Sequence, residues 1–390
     1  MDGFLLSRPT RTLRTAGARD RFDDANAAAD ALAAGRADLI VGALPFDPNA
    51  PAALTAPETM SWTPGPWRPQ AVAALPTVRV ANEIPSATEH VARIHGLVER
   101  LRRGDLEKVV AARAVQLVAD APISPEALAA RLIARHETAN GYAVDLTPAG
   151  DGYVGHTLVG ASPEILLSRR GTTVTCHPLA GSAPRRDDPA TDRAEGEALL
   201  TSSKNLTEHA YVVDWIRDVL APLCTELDVP SSPQLTGTRE VWHLDSPIRG
   251  ELRDPSLHSL ALAGRLHPTP AVCGTPTDRA LETIHEIEGD RRFYGGAVGW
   301  CDAAGDGDWV VAIRCAEIDA DGTTALAWAG GGIVAGSDPD AELDETTTKL
   351  GTLLGTLGVD VRTRGAGGWY LDPDVTNARV AGARPPCPMP

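Results

Sequence analysis

No uninterrupted apolar run in this 390-residue chain approaches the roughly 20 residues that a membrane span requires. The opening MDGFLLSRPTRT also lacks the apolar core and cleavage pattern of a secretory signal. A cytoplasmic protein with no membrane partner is therefore expected. The six cysteines (Cys176, Cys224, Cys273, Cys301, Cys315, Cys387) are scattered and form no C-x-x-C pair. That spacing suggests neither a zinc site nor a disulfide framework and predicts reduced thiols, mostly in the core. Basic charge is short as well: 36 Lys and Arg stand against 52 Asp and Glu, for a net charge of -16. Such a field repels nucleic acid and anionic membrane alike, so neither is an expected partner. An anionic ligand would have to be held by local cations. The glycine-rich segment AGGGIVAGS has no Lys-Ser/Thr ending of a P-loop and no full dinucleotide spacing, and no internal repeat is evident.

What is present fits an ordinary globular enzyme, with 43% hydrophobic and 23% charged residues. Residues 1 to about 85 are rich in Ala, Pro and Arg, and the prolines of FDPNAPAALTAPETMSWTPGPWRPQ are expected to break regular elements repeatedly. From Ala87 to Arg103, Val91, Ile94, Val98 and Leu101 recur at helical spacing, and LEKVVAARAVQLV follows with the β-branched content of a strand, placing Lys108 near its start. Helices are predicted over Glu126–Ala134, Ala190–Leu223, Ser256–Leu266, Asp278–Glu288 and Ala341 to about Leu357. YVGHTLVGASPEILLSRRGTTVTCHPLAG reads as two or three strands turning at Arg170 and Gly171, and another strand is expected over Val241–Leu244. FYGGAVGWCD, DWVVAIRCAEIDA and TTALAWAGGGIV read as a three-strand meander joined by short turns. Antiparallel runs with interspersed helices, rather than strict alternation, predict an α+β architecture.

On the last helix, Glu342, Glu345 and Lys349 lie at i, i+3 and i+7 and share a face. Two readings stand: a solvated face with a Glu345–Lys349 ion pair, or carboxylates for Mg2+ beside the glycine-rich segment. Glu208 in SSKNLTEHAYVVDW is, alone, a helical glutamate. PLAGSAPRR and LHPTPAVCGTP read as tight loops or as site walls. Arg314 stands out in an otherwise apolar strand, because an unpaired buried guanidinium is costly. A substrate carboxylate, a structural partner and outward exposure all remain open for it. Lys108 and Glu164 pose the same question more weakly, and strand alternation favours outward positions for both.

Taken in order, KVVAAR, VGASPEILL, HPLAGSAPR, SSKNLTEH, LHPTPAVCGTP, RRFYGGAVGWCD, WVVAIRCAE, AGGGIVAGS and ELDETTTKL resemble the chorismate-utilising enzymes, most closely the isochorismate synthases. The resemblance runs from about Ala87 to Leu357. It implies one α+β domain over residues 1–358, motif-bearing from 87 to 357, with a C-terminal extension over 359–390. Two packed antiparallel-rich sheets flanked by helices are implied, with the site in the cleft between them. Lys108 corresponds by resemblance to the base that activates water and Glu164 to the acid that protonates the leaving C4 hydroxyl. Glu208 and Glu345 match Mg2+ ligands, and Glu342 a residue acting through metal-bound water. Arg314 and Tyr294 match groups binding the enolpyruvyl carboxylate. Ser182, the Gly332 amide and Lys349 are implied near the ring carboxylate, with Gly181 and His243 lining the same site. This chemistry needs a neutral amine and a protonated carboxyl, the reverse of the ordinary states of Lys and Glu in neutral water, so burial is required.

Within the family, Lys108 resembles the water-activating members, and Ala180 replaces the nucleophilic lysine of amine-adding ones. No glutaminase-like segment is present, and no glutaminase subunit is expected. Ala271 in HPTPAVCG is the small residue typical of isochorismate synthases, where salicylate synthases tend to have threonine. Salicylate synthase is the alternative kept, together with a catalytically silent chorismate-binding homologue. The resemblance leaves open whether the product feeds a siderophore or menaquinone.

Overall fold

The computed structural model describes residues 3–136 and 140–359, together with the strand pair Arg364–Gly365 and Gly368–Trp369. The rest of the extension expected over 359–390, Cys387 included, lies outside the described residues, whereas Val359 is itself buried in the core. Two large sheets dominate. The ten-stranded one runs Gly274–Thr275, Lys108–Ala119, Thr324–Ile333, Cys315–Ile318, Thr157–Ser162, Asn140–Asp145, Gly3–Ser7, Arg11–Ala16, Thr59–Pro64, with Val78–Ile84 also on Lys108–Ala119. The nine-stranded one runs Cys224–Asp228, Ile248–Leu252, Thr173–His177, Ile165–Arg170, Gly307–Val311, Ala297–Asp302, Leu39–Leu44, Ala53–Ala56, Asp20–Phe22. Every pairing in both is antiparallel. The expected α+β class with two antiparallel sheets is therefore what the chain adopts.

Apolar faces explain the layering. Phe4, Leu6 and Leu158 of the first sheet bury against Leu39, Val41, Val298 and Val310 of the second. The outer face of the first is covered by helices Pro125–Arg135 and Pro339–Leu354, through Leu128, Leu132, Leu350 and Leu353. Helices Ala25–Ala33, Ser203–Leu220 and Ser259–Leu266 cover the second. No helix among the described residues is long and apolar enough to cross a membrane.

The prolines break regular structure as expected: residues 45–52 and 65–77 carry no helix or strand, and only the short strands Ala53–Ala56 and Thr59–Pro64 form between them. Two expectations change. The helical signal over 190–223 is two helices, Pro189–Leu199 and Ser203–Leu220, since the Ser202 hydroxyl accepts from Asn205 N–H and starts a new one. The meander is two hairpins in different sheets: Ala297–Asp302 pairs with Gly307–Val311 in the nine-stranded sheet, and Cys315–Ile318 with Thr324–Ile333 in the ten-stranded one. A third, small sheet of Leu179–Pro184, Val241–Asp245 and Gln234–Gly237 completes the frame. The five described cysteines are buried and free.

Candidate active site

The chain passes between the two sheets at Pro163–Glu164 and again at Ala312–Arg314, and these passages are bonded to each other. Val311 N–H donates to Glu164 O at 3.1 Å and Ala161 N–H to Arg314 O at 3.2 Å. Arg314 takes a left-handed backbone, φ 53°, so it lies not in mid-strand, as its sequence context suggests, but at the break between two strands. A non-glycine residue in that region costs on the order of 1–3 kcal/mol and persists only where its surroundings fix it. Here the reversal carries the guanidinium into a cleft of about 670 Å3.

All the residues singled out from sequence border this cleft except Lys108, Glu342 and Glu345, which stand just behind its wall. The wall is the glycine run Gly330–Gly332, paired with Ala112–Val110. A Cβ on Gly332 would lie 2.1 Å from Glu208 Oε1 and 2.9 Å from Lys108 Cε; one on Gly331 would lie 3.1 Å from Glu342 Oε2 and 3.6 Å from Glu345 Oε1. Only glycine lets these groups close on the strand. Lys108 is fully buried, contrary to the outward position that alternation favours, because its strand is covered on both faces. Its Nζ lies 3.3 Å from Glu208 Oε1 without hydrogen-bond alignment, which leaves the amine with no acceptor among the described residues.

Each carboxylate behind the wall faces its own lysine. Lys349 Nζ donates to Glu345 Oε1 at 2.5 Å and to Gly330 O at 3.0 Å, and Lys204 Nζ donates to Glu342 Oε1 at 2.6 Å. The i,i+4 pair of the first reading exists, but Lys349 is turned toward the cleft rather than to solvent. Glu342 is 1% exposed, and burial together with the Glu345 charge holds its carboxyl above the ordinary range despite Lys204. The Ser337 hydroxyl, like Lys204, opposes that rise. Burial also acts on Glu345, yet Lys349 and the Ser182 hydroxyl bring it below the ordinary range. Among the described residues, no three His, Cys, Asp or Glu side chains already stand as a ready metal ligand set.

Glu164 is 4% exposed. Burial raises its pKa to about 8, against the opposing pull of the Leu179 N–H and of Lys108, Lys349 and Arg314. It is therefore a protonated acid at neutral pH. At the other end Arg314, 5% exposed, has no ion pair among the described residues; Nη1 donates to Thr352 Oγ1 at 3.3 Å and Nη2 approaches His243 Nε2 at 3.5 Å. Burial, then Arg314 and Lys349, keep His243 neutral. Receiving from Arg314 at Nε2 places its proton on the other nitrogen, toward the Gly181 carbonyl. Gly181 has φ 72° at a bulge between Ala180 and Ser182, which re-aims Ser182 at the cleft opposite His243.

Sequence reasoning missed Trp328, which lines the cleft and stacks on Tyr294 at 5.9 Å and 11°, and Lys204. Trp328 sits two residues before the glycine run, and Lys204 lies in the SSKN segment already noted, so both had a positional signal.

Over most of its length the chain is similar to known proteins. A family model described as chorismate binding enzyme matches residues 68–358. A MenF protein of Mycobacterium tuberculosis is 51% identical over 366 residues, covering 92% of this chain and 96% of its own. Isochorismate synthase DhbC of Bacillus subtilis is 44% identical, covering 83% of this chain and 81% of its own. The crystal structure of a DhbC from Bacillus anthracis superposes with a TM-score of 0.84 at 37% identity, covering 92% of this chain and 97% of the other.

Proposed function

The chain belongs to the chorismate binding enzymes, and on that premise we propose that it is an isochorismate synthase, adding water at C2 of chorismate and expelling the C4 hydroxyl. One observation carries the reading: beside a single cleft, a buried carboxyl held protonated accompanies a buried amine that has no hydrogen-bond acceptor. That is the acid and base pair the exchange of two hydroxyls needs.

In this reading Lys108 takes the proton of the attacking water and Glu164 gives its proton to the departing C4 oxygen. Arg314, which pairs with no carboxylate among the described residues, takes the enolpyruvyl carboxylate with Tyr294. Ser182, the Gly332 amide and Lys349 receive the ring carboxylate. By type the residues fit a divalent cation: Glu208 against Gly332, and Glu342 and Glu345 against Gly331, offer the hard oxygen ligands that Mg2+ takes. Glu208 and Glu345 would hold Mg2+ directly and Glu342 through water, supplying positive charge for the ring carboxylate. Water as nucleophile calls for no ammonia-supplying subunit. Ala180 and Ala271 both border the cleft, so neither an amine nucleophile nor a hydroxyl occupies those places.

Incubating the purified protein with chorismate and Mg2+ is expected to give isochorismate as the sole product. Salicylate with pyruvate, or no turnover, overturns the assignment. Glu345→Ala is expected to raise the half-saturating Mg2+ concentration by about 10–100-fold; an unchanged titration removes Glu345 as a ligand. Arg314→Met is expected to raise the KM for chorismate by about 10–100-fold, the worth of a hydrogen-bonded pair to a charged group, with a smaller change in kcat. A KM equal to that of the parent assigns the enolpyruvyl carboxylate elsewhere.

A further inference from the structure

The strand that begins at Lys108 has a gap along one edge. Its other edge is paired with Thr324–Ile333 from Val109 to Val118. On the gapped edge, Gly274–Thr275 pairs with Val109 and Lys108, and Val78–Ile84 takes over only at Ala114. Between them, opposite the glycine wall, no strand covers residues 110–113 among the described residues. Val110 and Ala112 are buried there, and buried backbone groups need partners.

Side chains take the place of the missing strand. Val110 N–H still reaches Cys273 O at 2.7 Å. Val110 O then accepts from Arg291 Nη2 at 2.8 Å, Ala112 N–H donates to Glu288 Oε1 at 2.8 Å, and Ala112 O accepts from Arg93 Nη1 at 3.2 Å. Alternate residues of an antiparallel strand turn their amide and carbonyl to the same edge, so these bonds continue the ladder.

Arg291 does more than close the gap. It is 2% exposed and bonded to Glu288 through Nε at 2.7 Å and Nη2 at 2.8 Å. Its Nη1 donates to Val272 O at 2.8 Å, and its own carbonyl accepts from Tyr294 N–H at 3.0 Å. Val110, Val272 and Tyr294 all line the cleft, whereas Arg291 and Glu288 do not. One buried residue thus fastens three walls from outside. A planar fork can reach a carboxylate and two carbonyls at once, which the single nitrogen of a lysine cannot do in the same geometry.

We infer that Arg291, held by Glu288, is a positioning residue that fixes the spacing between the strand of Lys108 and the walls at Val272 and Tyr294, and so the distance from the amine to the substrate ring. The inference rests on the chorismate reading and adds what sets the geometry of its base.

Arg291→Lys keeps a cation for Glu288 but gives up the fork. It is expected to fold, by circular dichroism, and to lose about 10–100-fold in kcat, the effect of a displacement of about 1 Å, with a smaller change in KM. Glu288→Met with Arg291→Met removes both charges, so that no lone ion stays buried, and is expected to lose as much. Arg169→Met is the control. It also removes a buried guanidinium bonded to a carboxylate and two carbonyls, those of Asp306, Ala304 and Pro255, but away from the cleft. That variant is expected to unfold at lower urea while its folded form keeps the parent kcat. Amide hydrogen exchange adds a readout that needs no substrate: both Arg291 variants are expected to exchange faster over residues 108–113 and 272–275 than the parent, with the rest of the chain unchanged. Folded Arg291 variants with the parent kcat overturn the positioning role. So does an equal loss of kcat in Arg169→Met, or failure of both Arg291 variants to fold. A parent that makes no isochorismate overturns the function instead, and the exchange pattern then decides the ladder alone, which unchanged exchange over 108–113 overturns.

Discussion

Lys108→Ala is expected to lower kcat on chorismate by about 10²–10⁴-fold, the usual contribution of a positioned base, while chorismate binding in the presence of Mg2+ remains measurable. Lys108 sits where a purely structural lysine is hard to justify: it is fully buried, its Nζ is 3.3 Å from Glu208, and no acceptor takes its protons. A structural ammonium at such a position would normally be saturated with hydrogen bonds. Two measurements separate base from scaffold. Lys108→Met keeps most of the side-chain volume against Gly332 and is expected to be as inactive as the alanine variant. Small primary amines added to Lys108→Ala are expected to restore part of the rate by entering the vacated space. Turnover retained in either variant removes Lys108 as the base.

Glu164→Gln is the second large effect, again about 10²–10⁴-fold in kcat, and pH makes it specific. With a pKa of about 8 for Glu164, wild-type kcat is expected to fall with unit slope above pH 8, as the acid is lost. The residual rate of Glu164→Gln should lack that limb. Folding supplies an independent check. The folded chain holds the Glu164 proton up to about pH 8, whereas the unfolded chain releases it near pH 4.5. The native state thus binds the extra proton, and its stability falls as pH rises through that window. Urea unfolding of Glu164→Gln should therefore show a stability advantage over wild type that grows from about pH 4.5 to about pH 8. An advantage that does not change with pH contradicts a protonated Glu164.

The parts of this site that are legible in sequence are those carried by local pattern. The helix from Ala87 and the strand from Lys108 start where periodicity and β-branching place them. The ordered motifs bring Glu164, Ser182 and Arg314 to one cleft, where His243, which lies outside those motifs, joins them. Burial of Lys108 was not legible, since alternation signals a strand with one wet face and this strand has none. Arg314 was legible as an oddity but was read into the middle of a strand, because Val, Ile, Ala and Cys on both sides continue the β pattern and neither Gly nor Pro marks the reversal. The third sheet was hidden for a related reason. Thr173–His177 and Leu179–Pro184 are separated only by Pro178, which marks a break but not a change of sheet. Lys204 went unread because its role lies in a partner 138 residues away, Glu342.

The two passages between the sheets have one more consequence, which concerns when the site comes into being. Glu164 and Arg314 each sit on a crossing, and the crossings are fastened by amides that belong to the sandwich itself. The acid and the anion clamp are thus spaced by the same closure that seals the apolar interior. Their backbones arrive together, once the sheets have met, and cannot move apart without breaking those bonds. The spacing of the two residues at this end of the cleft is set during folding, before any substrate is encountered.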